Sequence, residues 1–216
     1  MATLQSGTSP GRRIKAAKLV LGRAKSVDTK PVKKPLDELR AVNIIYEKHH
    51  NAAKDAALKL AKAEAKVGEL DATQDISVDV LAAAHISAGA NRQRPLAEYK
   101  AGTVTDLKAT PNEKEAKALQ KIATKAKANS DAGIKRAGIA MEKAANAVLA
   151  SIKPIEGLIE KRNEAIAARD ALTPRWEKAF AVLKRAVRTA EDEGATGLFD
   201  ALFDVAVKRS GNDDKE

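Results

Sequence analysis

Hydrophobic side chains recur every three or four residues along most of this chain, the spacing that places them on one face of an α-helix. This pattern predicts a helix over about residues 12–26 and a longer one from residue 35, ending near Gly68 or Asp71. Two prolines in residues 29–35 predict a semi-rigid, non-helical linker between them. Residues 1–10 show no such periodicity and are expected to be mobile.

Residues 71–110 carry the weakest pattern. Ile76, Val78 and Val80 alternate as in a short strand, but no second strand is evident to pair with them. We therefore favour a helix there, followed by short pieces from Gly89 onwards.

A strong helix start lies at Thr110-Pro111, with Glu113 three residues after the threonine. The helix predicted from it covers residues 111–153, and residues 129–131, whose side chains compete for backbone amides, can divide it in two. Apolar and small residues alternate in steps of three and four along it, which predicts close packing on another helix. The small residues expected in that contact are Ala126, Gly133, Ala137, Ala140 and Ala144.

The C-terminal part holds most of the aromatic residues. Pro154 ends or kinks the preceding helix, Thr173-Pro174 starts another, and a last helix is predicted from Thr196 to Lys208 before a polar tail. We interpret the aromatic residues as the densest part of the core, with an exposed assembly patch as the alternative. They are Trp176, Phe180, Phe199 and Phe203.

These elements predict an all-α protein, an elongated antiparallel helical bundle of long alanine-rich helices with a basic N-terminal arm. Large apolar side chains are scarce, because the 216 residues include 44 Ala and only 46 Leu, Ile, Val and Phe together. Such helices can be completed by close packing against neighbouring copies of the chain. We therefore expect a homo-oligomer.

Positive charge is concentrated at the N-terminus. Residues 1–34 contain nine Lys or Arg and one acid, and the rest of the chain is close to neutral. We divide the chain into a basic arm and linker over 1–34, a helical body over 35–209 and a polar tail over 210–216. The arm residues predicted to contact a partner or phosphates are Arg12, Arg13, Lys15, Lys18, Arg23 and Lys25.

Catalytic motifs are missing from the sequence. There is no Cys, no glycine-rich phosphate loop and no nucleophile motif, and Glu47 with His50 forms only half of a di-iron pattern. We expect no enzyme activity, no cofactor, no metal and no small-molecule substrate.

No apolar run is long enough to cross a membrane, so we expect a cytoplasmic protein, or one within a cytoplasmically assembled particle. A transit peptide also fits an N-terminal segment poor in acids, although such peptides favour Arg and here Lys leads.

Two functions follow from these features. The first is a structural or assembly protein, a self-associating subunit whose basic arm docks on a neighbouring subunit or an acidic partner. The alternative is a sequence-independent nucleic-acid-binding protein of the packaging or coat type, using residues 12–34 on phosphates. No aromatic residue lies in the first 45 positions, so the arm offers no base stacking.

Overall fold

The all-α class is confirmed. The computed structural model describes residues 8–203, and that range contains helices and connecting turns but no strand. Two short 3₁₀ turns lie at Lys30–Val32 and Ala97–Tyr99. The helices are α1 (Pro10–Arg23), α2 (Lys33–Ser87), α3 (Val104–Lys108), α4 (Asn112–Lys127), α5 (Ala132–Ile152), α6 (Ile155–Asp170), α7 (Thr173–Asp192) and α8 (Leu198–Phe203).

Helix α2 is longer than its sequence predicts. The prediction of a helix end near Gly68 or Asp71 is wrong, because α2 continues through both for 55 residues in all. A glycine inside a helix costs only about 1 kcal/mol, and the following Val78 and Leu81 are fully buried, which offsets that cost. The prediction of a non-helical linker over 29–35 is also wrong, since a 3₁₀ turn leads into α2 at Lys33.

The helix predicted over 111–153 is divided in two at residues 129–131, the position that the sequence indicates. Helix α4 ends at Lys127 and α5 begins at Ala132. Asp131 accepts hydrogen bonds of 2.7 and 2.9 Å from the backbone N–H groups of Gly133 and Ile134, which satisfies two free donors at the start of α5.

The chain forms two compact units. Unit 1 consists of the described residues in Met1–Asp55 and Asn163–Glu216, and unit 2 is Ala56–Arg162. Helices α2 and α6 each contribute to both units. The predicted polar tail over 210–216, and the last helix beyond Phe203, lie outside the described residues.

The core of unit 1 joins the two ends of the chain. Helix α1 buries Ile14, Ala17 and Val20 in a cluster with residues of α2, α7 and α8. Trp176 is fully buried there and stacks on Phe180, with 5.1 Å between ring centroids. The apolar face of helix α1 is therefore packed on its own chain.

The core of unit 2 contains an antiparallel hairpin of α4 and α5. Lys127 Nζ donates to Glu142 Oε1 at 2.6 Å and Gln120 Nε2 to Asn146 Oδ1 at 2.7 Å, so the helices run in opposite directions. A Cβ added at Gly138 would lie 2.7 Å from the Cβ of Ala126. Glycine at this position therefore sets how closely the helices approach.

Over the described range 8–203, none of the helices combines the length and apolar character that crossing a bilayer requires.

Candidate functional site

The N-terminal arginines have different environments. Arg13 is buried, and its guanidinium donates a 2.6 Å hydrogen bond to Glu177 Oε1 in α7. Burial opposes its charge, but hydrogen bonds and charge interactions with Glu177 and Tyr46 outweigh burial and raise the pKa of Arg13. Arg12 is exposed. Arg13, predicted to contact a partner, is thus used inside unit 1.

The other predicted contact residues of α1 are divided between internal bonds and solvent. Lys18 forms an ion pair with Glu47, and Arg23 Nη1 donates to the carbonyl of Leu202 at 3.4 Å. Lys15 and Lys25 are exposed. Arg12, Lys15 and Lys25 therefore face solvent, and Lys18 is also exposed although it is paired with Glu47.

The small residues predicted for helix packing mostly occupy the α4–α5 hairpin. Ala126, Ala137 and Ala144 are buried, whereas Gly133 is half-buried in the first turn of α5. Ala140, predicted for subunit or helix packing, is exposed in the single chain, whereas Gly138 and Met141 are buried in α5. The contact face of α5 is therefore turned slightly from the predicted one.

All six aromatic residues of the chain are buried. Trp176, Phe180, Phe199 and Phe203 lie in the core of unit 1, where the sequence favoured them. Tyr46 is fully buried and Tyr99 is 9% exposed. No Phe, Trp or Tyr ring is therefore available on the surface for stacking on a base.

Five lysines line one open groove in unit 2 that the sequence analysis missed. The groove has a volume of about 580 Å³, and its lysines are Lys100, Lys114, Lys117, Lys121 and Lys125. Four of them follow α4 in steps of three, four and four, which aligns them in one row about 16 Å long. We call these four residues the α4 lysine row.

The floor of the groove is apolar and largely covered. Tyr99, Leu107 and Ile122 line it and are each less than a tenth exposed. The hydroxyl of Tyr99 shares a 2.7 Å hydrogen bond with Nε2 of His85, and burial together with Glu98 raises the pKa of Tyr99. Tyr99 therefore stays neutral and adds no negative charge beneath the lysines.

The lysines of the groove are poorly neutralised. Lys117 Nζ pairs with Glu113 at 2.6 Å. Within the described range, Lys100, Lys114, Lys121 and Lys125 have no ion pair, and all four are exposed. The groove consequently presents a local excess of positive charge, which attracts anions.

A buried acidic residue lies on the inner side of α4. Glu115 is 1% exposed and lies near Asp71 and Asp75 of α2, with Gln74 fully buried beside it. Burial, followed by repulsion from Asp75 and Asp71, raises the pKa of Glu115 to about 7. Glu115 is therefore partly protonated near neutral pH, which limits the negative charge behind the groove.

Across residues 8–203, no group of three or more His, Asp or Glu side chains is arranged to hold a metal ion. This range includes Glu47 and His50 as well as the acidic residues around Glu115.

Comparison of the chain with protein-family models, curated proteins and solved structures finds no match. Function is therefore inferred from the residues and their geometry.

Proposed function

We propose that the protein is a non-catalytic nucleic-acid-binding protein that contacts the phosphate backbone, without sequence preference, through the groove of unit 2. The observation that supports this proposal most strongly is the α4 lysine row, with Lys100 on the same groove. Lysine is a point charge that attracts phosphate without fixing one geometry, which suits contact with a repeating backbone.

The dimensions of the row suit a polymer of phosphates. A row about 16 Å long spans on the order of five phosphates of one strand, at roughly 3.4 Å of helix axis per phosphate. Since every Phe, Trp and Tyr ring is buried, none of these rings can stack on a base. Contacts limited to phosphates position a nucleic acid but do not read its sequence.

The basic surface of α1 supports the same function less strongly. Arg12, Lys15 and Lys25 are exposed in unit 1, but Arg13 and Lys18 already have acidic partners within the protein. Because the apolar face of α1 is also packed, docking of this helix on a neighbouring subunit is less favoured than the sequence alone suggests. Self-assembly is retained as a second candidate, because α2 has an exposed apolar face.

The plainest alternative is that the α4 lysine row only keeps the protein soluble. A salt titration of binding to a double-stranded DNA of mixed sequence distinguishes the two. We compare the wild type with a triple variant in which Lys114, Lys121 and Lys125 are each replaced by Gln. The matched control replaces Lys135, Lys143 and Lys161, which are also exposed lysines of unit 2, by Gln.

If the groove binds phosphates, the affinity of the wild type falls steeply with salt, and the groove variant loses about 2 to 3 from the slope of log affinity against log salt. The control variant keeps the wild-type slope to within about 1. If both variants lose the same amount of slope, binding depends on overall charge and not on the groove. Absence of DNA and RNA binding by the wild type would refute the proposal.

A further inference from the structure

Helix α2 has an apolar face that no part of unit 2 covers. Leu58 is 51% exposed, Ile76 62% and Val80 49%, although these side chains are large and apolar. Leu58 and Ile76 are 18 residues apart, which is five helical turns, so they lie on the same side of α2. Ala61, Ala65, Ala72 and Ala83 lie on the same side and are small and exposed, and this side also carries the charged residues Lys62 and Glu69.

This face is opposite the side of α2 that enters the core. Leu60, Gln74, Val78 and Leu81 are buried, and Val78 and Leu81 belong to the core of unit 2. A helix that buries one face and leaves a second apolar face in solvent is typical of a subunit contact. Small residues at its centre allow another helix to approach closely.

Charge along α2 indicates what the partner is. On this side of α2 the exposed bases Lys62 and Lys66 precede residue 67, and the exposed acids Glu69 and Asp79 follow it. In a parallel pair of α2 helices, like charges would lie opposite each other. In an antiparallel pair, unlike charges lie opposite each other. The face is therefore complementary to itself in one orientation only.

We propose that two copies of the protein associate through this face, with their α2 helices antiparallel about a two-fold axis near residue 67. In this arrangement Leu58 of each copy packs on Ile76 of the other, and Ala65 lies close to the two-fold axis. Lys62, which has no ion pair in the described part of the chain, reaches Glu69 of the second copy, whose carboxylate also pairs with Lys66 of its own chain at 2.9 Å.

Sedimentation equilibrium of the full chain without nucleic acid tests the association. The wild type is expected to form dimers as its concentration rises, and Leu58→Glu and Ile76→Glu to remain monomeric. Ile139→Glu, which changes an isoleucine of α5 that is 51% exposed, is the matched control and should leave association unchanged. Circular dichroism verifies that each variant keeps its helix content.

The charge pattern gives a test of orientation. Lys62→Glu alone and Glu69→Lys alone should each weaken dimerisation about tenfold, and the variant with both changes should regain wild-type association, since the unlike charges then face each other again. In a parallel dimer these positions face themselves, so the single changes would have little effect.

Cysteine cross-linking gives a second test, because the chain has no native Cys. A mixture of Leu58→Cys and Ile76→Cys copies should form a disulfide between unlike copies, and neither variant should cross-link by itself, because the two positions lie about 27 Å apart along the helix. A chain that stays monomeric at every concentration, or single variants that cross-link with themselves, would overturn the proposal. Dimerisation through α2 does not involve the groove. The triple variant of Lys114, Lys121 and Lys125 should therefore dimerise as the wild type does.

Discussion

The indole N–H of Trp176 in α7 donates a 3.0 Å hydrogen bond to Oδ1 of Asn43 in α2, and both side chains are buried. The two residues are 133 positions apart, so this bond connects the N-terminal and C-terminal segments of unit 1. Trp176 is the only tryptophan of the chain, and its fluorescence therefore reports on the folding of unit 1.

Replacing Asn43 by Leu should destabilise unit 1 by about 1–3 kcal/mol, because the buried indole N–H loses its acceptor. Urea denaturation followed by Trp176 fluorescence measures the change. Asn51→Leu, at an exposed position of the same helix, is the control and should shift the midpoint little. Similar midpoints for the two variants would show that the hydrogen bond contributes no stability.

Arg12 and Arg13 are neighbours in sequence but should differ in their effect on stability. Arg13→Met removes the buried partner of Glu177 and should lower the free energy of unfolding of unit 1 by about 1–2 kcal/mol. Arg12→Met removes the same charge from an exposed site and should change it by less than about 0.5 kcal/mol. The fluorescence assay measures both, and equal effects would contradict an internal role for Arg13.

Gly138→Ala should destabilise unit 2 by about 1–3 kcal/mol, because the new methyl group overlaps Ala126 and forces α4 and α5 apart. Gly157→Ala, where an added Cβ meets nothing within 4 Å, should be neutral or stabilise by up to about 1 kcal/mol. Thermal unfolding followed by circular dichroism compares the two. If Gly138→Ala unfolds no earlier than Gly157→Ala, close approach of the helices is not required.

The stability of unit 2 should fall as the pH rises from about 4.5 to about 7. The folded state holds the proton of Glu115 up to a pKa of about 7, and the unfolded chain releases it near 4.5. Since the unfolded state then binds fewer protons, the free energy of unfolding decreases over this interval. Asp71, whose pKa is also raised by burial and by Asp75, adds a change of the same sign.

Glu115→Gln removes most of this dependence. At pH 8 the variant should be more stable than the wild type by up to about 3 kcal/mol, and at pH 4 the two should be similar. Urea denaturation at a series of pH values provides the measurement. Glu113→Gln is the control, because Lys117 lowers the pKa of Glu113, so this change should slightly reduce stability at neutral pH. A flat pH profile for the wild type would refute the burial effect.

Much of the fold could be predicted from local patterns. The spacing of Ile14 and Ala17 indicated α1, and the amide-competing side chains around Asn129 and Asp131 indicated the break between α4 and α5. The course of α2 past Gly68 could not be predicted, because it depends on core contacts that form only in the folded protein. The same is true of Arg13, whose partner Glu177 is 164 positions away.

The groove was missed for a different reason. The excess of positive charge is largest at the N-terminus. The net charge of the body is close to zero, so it does not indicate that lysines form a local row. The signal was nevertheless present in the steps of three, four and four between Lys114 and Lys125. Its neighbours Tyr99 and Lys100 come from another segment, so the groove itself required the folded structure.

The division of unit 1 between the two ends of the chain has a consequence during synthesis on the ribosome. Unit 2 is continuous, so its residues can collapse together as soon as they emerge. The hydrogen bond between Asn43 and Trp176 cannot form until Trp176 has been synthesised. At usual rates of translation this happens on the order of 10 s after Asn43 has been added. During that interval the apolar sides of α1 and of the start of α2 are uncovered, and the nascent chain is most exposed to chaperones and proteases.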